Sequence, residues 1–256
     1  MKYNYHTHTT RCNHAMNTER EYVEAAIASG LKRLGFSDHS PYIFPEKMGN
    51  YYSGFRMRPE QAEDYCNTVR KLADEYKGQI DIRLGVEVEN YPECFDETDR
   101  FLKNLGVEYY ILGQHFNRNE YDGFYVANKR VPDAKTFEEY MDSVVESIKS
   151  GRFLYVAHPD LYYYPGDDDF YREQSKKVAE AAKKYNVPLE INILGLADNR
   201  HYPQKRFWEV AGEIGCSAVF GIDAHSAAQI TNAKAVVERV TPDFENLGIK
   251  IVEVEL

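Results

Sequence analysis

The sequence predicts an α/β protein built as a TIM-like barrel of about seven strands. Short apolar runs alternate with longer helical patterns along the whole chain, which requires parallel strands joined by right-handed crossovers. A length of 256 residues suits one barrel, and neither a repeat nor a linker divides the chain. Residues 1–256 are therefore expected to form one domain. A doubly wound open sheet is the alternative.

The strands are predicted from apolar runs of five to seven residues. The opening stretch, which ends at His6 and His8, supplies the first strand. The later runs lie at 33–37, 82–88, 109–113, 153–157, 187–193 and 217–222. The last stretch, GIKIVEVEL at 248–256, is either an eighth strand or an edge strand outside the barrel.

Helices are predicted between these runs, with start signals such as Asn17-Thr18 and Arg58-Pro59. Their expected ranges are 18–30, 59–77, 95–105, 134–149, 169–185, 203–214 and 226–239. The repeated unit is a strand followed by a helix. This order covers both faces of a parallel sheet.

Composition limits the classes of function. The formal charge of −10 disfavours a broad surface for nucleic acid, although bound cations would reverse the field inside a pocket. The four cysteines are widely spaced, which is typical of a reducing compartment. There is no run of about 18 apolar residues and no basic region followed by an apolar one, so a cytoplasmic location is expected.

Histidines and carboxylates lie at or just beyond the predicted strand ends. In an α/β barrel these ends share one mouth, so the side chains should converge. The candidate metal ligands are His6, His8, His14, His39, Glu87, His115, His158, Asp223 and His225. An HxH pair on an extended chain presents two imidazoles on one face, about 7 Å apart at the backbone.

The kind of ligand indicates the kind of metal. Imidazole and carboxylate without thiolate suit Zn, Mn or Fe, and Glu87 has two oxygens with which to bridge two ions. Nine converging ligands are too many for one ion. Two to three divalent cations are therefore expected.

Six motifs make a resemblance specific. In order, HTHTTRCNH, FSDHS, GVE, GQHF, AHPD and GIDAHS resemble the metal motifs of the polymerase and histidinol phosphatase (PHP) family, over residues 6 to 225. The likeness is strongest to the histidinol phosphatases, through AHPD, EIN and GxDAH. It implies a distorted seven-stranded barrel and a trinuclear centre.

The resemblance also implies a grouping of the ligands and an activity. One metal would take His6, His8, Glu87 and Asp223, a second Glu87, His115 and His158, and a third His14, His39 and His225. Two cations that share a carboxylate, about 3.5–4 Å apart, can hold a bridging hydroxide that attacks phosphorus. The expected reaction is hydrolysis of L-histidinol phosphate to L-histidinol and phosphate.

Substrate contacts follow the resemblance less closely. Ala197 stands where the family tends to have a basic residue, so Arg200 and Arg118 are the candidates for phosphate contact. Either Asp160 or a metal-bound water is the candidate proton donor to the leaving alcohol. The run Tyr162–Tyr164 either lines the pocket or packs in the core. Asp38 either orients an imidazole or faces solvent.

Three other functions remain open at this point. The first is hydrolysis of another small phosphate ester, such as a nucleotide or a sugar phosphate, with a nuclease less favoured because no basic track is evident. The second is an amidohydrolase, but no Lys occupies the position that those enzymes usually carboxylate. The third is a barrel that binds without catalysis, which all nine filled ligand positions disfavour.

Overall fold

Seven short parallel strands form the centre of the molecule, seen in a computed structural model that describes residues 1–49, 51–127 and 129–256. They are β1 (Tyr3–Asn4), β2 (Arg33–Phe36), β3 (Asp81–Val88), β4 (Tyr109–Leu112), β5 (Leu189–Asn192), β6 (Ser217–Gly221) and β7 (Lys250–Ile251). They pair in the orders β1-β2-β3-β4 and β5-β6-β7.

Single-residue bridges join the two sheets into a closed barrel. Val156 pairs in parallel with both Leu112 and Leu189, and Thr7 pairs with Ala224 beyond the end of β6. The circuit therefore runs β1, β2, β3, β4, the segment around Val156, β5, β6 and back to β1. This confirms the predicted barrel, and the closed circuit excludes the open sheet.

The segment predicted as a strand at 153–157 is the main difference from the predicted strands. It occupies the fifth strand position through hydrogen bonds to β4, such as Ala157 N to Leu112 O at 2.8 Å, but only Val156 forms β-bridges. On the β5 side, Pro188 accepts from Val156 and has no N–H to donate in return. A regular ladder therefore does not form there.

Eight α-helices surround the strands in the described part of the chain. They are α1 (Glu19–Ala28), α2 (Ala62–Glu75), α3 (Phe95–Asn104), α4 (Ala134–Lys149), α5 (Asp168–Tyr185), α6 (Ile193–Ala197), α7 (Lys205–Ile214) and α8 (Ala227–Asn246). Helix α8 continues well past the predicted end at 239. Within the described ranges, no helix combines the length and apolar character needed to cross a membrane.

Helix α6 was not predicted, because its first residue was assigned to the preceding strand. The Asn192 side chain ends β5 by accepting a hydrogen bond from Gly195 N at 2.9 Å, which caps the new helix. The chain therefore turns at the carboxyl end of the strand. This turn brings the segment that follows α6 to the barrel mouth.

A layer of aromatic side chains closes the barrel beneath its mouth. The Tyr109 hydroxyl donates to the carbonyls of Tyr5 and Phe36, at 2.9 and 3.0 Å. Its ring lies against Gly35 and Gly85, where a Cβ would overlap it. At the opposite end from the mouth, β7 pairs with the first residues of β6, which makes it an edge strand.

Candidate metal centre

Glu87, at the end of β3, lies at the centre of the predicted ligands. Its Oε2 is 2.9 Å from His39 Nδ1, and its Oε1 is 2.9 Å from His158 Nε2 and 3.6 Å from His115 Nε2. The Glu87 side chain is only 1% exposed. A single buried carboxylate thus contacts imidazoles from three different strand ends.

Asp223 is the second carboxylate of the cluster, and it faces the HxH pair. Its Oδ1 lies 3.3 Å from His6 Nε2 and 3.0 Å from His8 Nε2. The two histidines also approach Glu87, at 3.6 and 3.5 Å. Asp223 and His158 both have positive φ, 56° and 30°, which non-glycine residues rarely adopt. Such strain is typical of functional sites.

The other predicted ligands, His14, His39 and His225, pack with their rings near that of His8. The ring of His225 lies 4.1 Å from that of His8 and 4.7 Å from that of His14, measured between centroids. His39 lies 4.5 Å from His8 by the same measure. With these, all nine predicted side chains occupy one region at the carboxyl ends of the strands.

Hydrogen bonds to Nδ1 orient several of the rings. His6 Nδ1 lies 2.7 Å from Glu190, and His115 Nδ1 lies 2.8 Å from Glu89. Backbone carbonyls accept from His14 and His225, at 2.7 and 3.0 Å. A ring that donates through Nδ1 keeps the Nε2 lone pair for a metal.

Asp38 faces the cluster rather than solvent. It is fully buried, lies 3.4 Å from His8 Nδ1 and accepts the backbone N–H of His39 at 2.8 Å. It also accepts from the Thr9 hydroxyl. Asp38 therefore contacts the imidazole of His8, whereas it holds His39 through the backbone.

Unpaired polar atoms test whether the cluster fits metal ions. Among the described residues, buried atoms without a hydrogen-bond partner of acceptable geometry include Nε2 of His6, His8 and His225, Nδ1 of His39 and His158, and Oε2 of Glu87. Buried polar atoms are normally paired, because leaving them unpaired is costly. So many lone-pair donors around one point fit divalent cations.

Ligand atoms within 4.8 Å of one another form several groups of three. They include His6, His8 and Glu87; His6, His158 and Asp223; and His8, His39 and His225. The first group lies within the expected first metal set. The third places His8 beside His39 and His225, so His8 adjoins two of the sets that the resemblance implies.

The electrostatics keep the carboxylates charged. Burial by itself would raise the pKa of Glu87, but His39, His115 and His6 together lower it well below its usual value. The same competition, with His6 and His8 as partners, lowers the pKa of Asp223. Both groups are therefore anionic and able to bind cations at neutral pH.

A cavity of about 250 Å³ opens onto the cluster. Its polar side consists of the cluster, including His14, His39, Glu87, His115, His158, Asp223 and His225. The rest of the lining is mainly apolar and aromatic: Phe55, Tyr125, Ala127, Leu161, Leu194 and Tyr202. Arg200 also lines it. The cavity thus pairs a site for cations with a wall suited to a small organic group.

The candidate phosphate contacts differ in position. Arg200 reaches the cavity from the segment after α6 and donates to the Tyr202 hydroxyl at 3.0 Å. Arg118 does not line the cavity; its side chain is 61% exposed and lies 3.7 Å from Glu139. The structure therefore brings Arg200, and not Arg118, to the cluster.

Asp160 and the tyrosine run also lie outside the cavity lining. Asp160 is buried and accepts the backbone N–H of Gln204. Tyr162 and Tyr164 pack in the core against Phe137, with centroids 4.9 and 4.8 Å away. The tyrosines that line the cavity are instead Tyr125 and Tyr202.

Glu190, Glu89 and Arg56 were not identified as site residues from the sequence. Glu190 and Glu89 contact ring nitrogens of the cluster, and Arg56 donates to both oxygens of Glu89 at 3.0 Å. The sequence pattern around the two carboxylates could have identified them as site residues. Each is an acidic residue within or directly after an apolar strand, where burial would be costly without a partner.

A parallel (β/α) barrel with a histidine and carboxylate cluster at the carboxyl ends of its strands defines the class of metal-dependent barrel hydrolases. The PHP domain matches residues 4–193 of this chain, about three quarters of its length. The chain belongs to the PHP domain family. This confirms the family that the sequence motifs resemble.

Individual relatives agree with this family. A probable histidinol-phosphatase of Deinococcus radiodurans is 28% identical over 235 residues, covering 88% of this chain and 86% of the relative. The histidinol-phosphatase of Bacillus subtilis is 27% identical, covering 91% and 97%. The fold is similar to that of histidinol phosphate phosphatase from Lactococcus lactis, solved with zinc, L-histidinol and phosphate, with a TM-score of 0.70, 19% identity and coverage of 98% and 95%.

Proposed function

We propose that this chain is a metal-dependent phosphomonoesterase whose substrate is L-histidinol phosphate. Its products would be L-histidinol and inorganic phosphate. The observation that carries the proposal is the cluster of unpaired imidazole and carboxylate atoms that opens, together with Arg200, onto one cavity. Residues 1–256 would act as one domain, because strands from both ends of the chain complete the barrel.

The nine clustered side chains would hold two to three divalent cations, with zinc the first to test. Bound cations supply a nucleophile at neutral pH and electrostatic stabilisation of the phosphoryl group. Glu87 would hold two of the ions together through its separate oxygens, which face different imidazoles. Glu190 and Glu89 would fix the rings of His6 and His115.

Arg200 would orient the phosphate, since a guanidinium can donate two parallel hydrogen bonds to it. Its bonds to Tyr202 and Asp198, at 3.0 and 3.1 Å, hold the side chain at the cavity. Asp160, which the sequence suggests as a proton donor, is buried outside the lining, where we expect it to affect stability more than catalysis. The four buried thiols favour a cytoplasmic location.

The substrate proposal is supported by the relatives and by the shape of the cavity. The Bacillus subtilis relative is named a histidinol-phosphatase, and the Deinococcus radiodurans relative a probable histidinol-phosphatase. Phe55, Tyr125 and Tyr202 offer ring faces and edges for an imidazole and for the positive amino group beside it. A cavity of about 250 Å³ suits a small ester.

The test is phosphate release by the zinc-loaded and manganese-loaded protein. L-histidinol phosphate, glucose 6-phosphate and AMP would be compared at equal concentration, with Glu87→Gln as the inactive control. We expect kcat/KM to be at least about 100-fold higher for L-histidinol phosphate. Faster hydrolysis of glucose 6-phosphate or AMP would assign that ester as the substrate in place of L-histidinol phosphate. No phosphate release from any of the esters would reject the proposed phosphatase activity.

A further inference from the structure

A buried ion-pair cluster lies beside the metal centre and outside the cavity lining. Arg56, Glu89 and Glu120 have side chains that are 1%, 1% and 0% exposed. Arg56 comes from the segment before α2, Glu89 directly follows β3, and Glu120 belongs to the segment between β4 and α4. Three separate parts of the chain therefore meet at one guanidinium.

On one side, the cluster reaches a candidate metal ligand. Arg56 Nη2 lies 3.0 Å from each oxygen of Glu89, and Glu89 Oε1 lies 2.8 Å from Nδ1 of His115. His115 Nε2 faces Glu87 at 3.6 Å. Arg56 is thus linked to the central carboxylate of the site through two residues, Glu89 and His115.

On the other side, the cluster reaches the aromatic wall of the cavity. Arg56 Nη2 also donates to Glu120, which lies in the segment that carries Tyr125. Phe55, the neighbour of Arg56, has its ring centroid 5.8 Å from His115 and 6.4 Å from Tyr125. The guanidinium itself lies over the Phe55 ring, 4.4 Å from the centroid.

We propose, building on the proposed function, that Arg56 is a positioning residue. It would fix the candidate ligand His115 and the aromatic side chains of the cavity in their positions relative to each other. Through Glu89 it fixes the His115 ring for metal binding. Through Glu120 it fixes the segment that presents Tyr125 to the organic part of the substrate. Nη2 of Arg56 contacts both carboxylates while Nη1 donates to the Ser40 carbonyl at 2.8 Å, so one guanidinium serves all three groups at the same time.

Substitutions can separate the two contacts of Arg56, which are the Glu89 arm toward His115 and the Glu120 arm toward the segment that carries Tyr125. Glu89→Gln removes the charge behind His115, so we expect zinc affinity to fall about 10–100-fold, with KM for L-histidinol phosphate within about threefold of wild type. Glu120→Gln loosens the cavity wall, so KM should rise about tenfold while zinc affinity stays within about threefold. Arg56→Lys keeps the charge but loses the fork, and both quantities should change.

Arg58→Lys is the matched control, because Arg58 lies two residues away, is exposed and stacks on Tyr52. Zinc affinity is measured by competition with a chromophoric chelator, so it does not depend on turnover. Thermal unfolding of each zinc-free variant reports whether the variant folds.

A folded Arg56→Lys variant with unchanged zinc affinity and KM would overturn the proposal. If Arg56→Lys does not fold, the proposal is overturned when Glu89→Gln and Glu120→Gln change the same quantity. Absence of phosphatase activity in the wild type would reject the proposed function instead, while the zinc measurements would still test the Glu89 arm.

Discussion

Nδ1 of His6 lies 2.7 Å from Oε1 of Glu190, and both side chains are fully buried. The other oxygen of Glu190 accepts the backbone N–H of His158 and the side-chain amide of Asn192, each at 2.9 Å. One carboxylate therefore orients the ring of one candidate ligand and the backbone of another. It also determines that His6 presents Nε2 to the cluster.

Replacing Glu190 with Gln should weaken metal binding without emptying the space. The amide has nearly the same size but no charge, so it holds the Nδ1–H of His6 less strongly. We expect zinc affinity to fall about 10–100-fold, measured by chelator competition. Glu180→Gln, at an exposed position on α5, is the control. Wild-type affinity in Glu190→Gln would show that His6 needs no such partner.

Zinc binding should release protons from the zinc-free protein. Burial lowers the pKa of His8, but hydrogen bonds to Asp223 and Asp38 outweigh it and raise the pKa to about 9. The pKa of His6 is likewise well above its usual value, through Glu190, Asp223 and Glu87. Both rings are therefore protonated at pH 7 and must lose a proton before they can bind a cation.

The sign of the pH dependence follows from this. Apparent zinc affinity should increase as pH rises from 7 toward 9, because fewer protons have to be displaced. His225, with its pKa lowered to about 3 chiefly by burial, is already neutral and contributes no proton. Burial lowers the pKa of His115, but Glu87 and Glu89 outweigh it and raise that pKa as well. Calorimetry at pH 7 in buffers of different ionisation enthalpy should therefore report at least about two protons released per chain. A binding heat that does not depend on the buffer would contradict this.

Gly113 should not tolerate a side chain. It directly follows β4, and a Cβ there would overlap Oε1 of Glu87. In Gly113→Ala the Glu87 carboxylate has to move away from His158 and His115, and we expect kcat/KM to fall about 100-fold. Gly54→Ala, where nothing lies within 4 Å of the added carbon, is the control. Equal activity of the two variants would mean that the position of Glu87 is not critical.

The parts of the site that the sequence predicted are those that topology determines. His39, Glu87 and His115 follow three apolar runs, and a parallel barrel brings all such ends to one mouth whatever the exact register. The side chains that hydrogen-bond to the candidate ligands depend also on how distant segments pair. Glu190 meets His6 across 184 positions of sequence, a contact set by the closing pair of Thr7 and Ala224, which no local pattern specifies.

Contacts with distant residues also explain where the observed strands and substrate contacts differ from the predicted ones. Apolar character identified 153–157 as part of the barrel, but the missing N–H of Pro188, outside that window, limits its ladder. Arg200 and Arg118 both follow a predicted strand, so the sequence offered both as candidates for phosphate contact. The turn into α6 brings only Arg200 to the cavity.

Arg200 should contribute to substrate binding. It lines the cavity on the side that faces Asp223, and it is already fixed by Tyr202 and Asp198. A charged hydrogen bond contributes about 1.5–3 kcal/mol, so Arg200→Ala should lower kcat/KM about 10–100-fold, mainly through KM. Arg118→Ala is the matched control, and its kcat/KM should stay within about twofold. A larger loss in Arg118→Ala than in Arg200→Ala would reverse the assignment.

Asp160 should affect stability more than catalysis. It is buried, it lies outside the cavity lining, and burial raises its pKa to about 7. In the unfolded chain its pKa would be about 4. The folded state therefore binds more protons between these values, so Asp160 makes the protein less stable as pH rises from about 4 to about 7, and the full cost remains above pH 7.

Asp160→Asn removes this titration and keeps an oxygen that can accept the Gln204 N–H. Its stability relative to wild type should therefore be more favourable at pH 8 than at pH 5, by up to about 3 kcal/mol, measured by urea unfolding at both pH values. A residue that donates the proton to the leaving group would cost about 10²–10⁴-fold in kcat when removed. Because Asp160 accepts from Gln204 behind the lining, we expect a loss of less than about tenfold. A loss in the higher range would instead support Asp160 as the proton donor and require the segment around Leu161 to move during turnover, since Leu161, the next residue in the chain, lines the cavity.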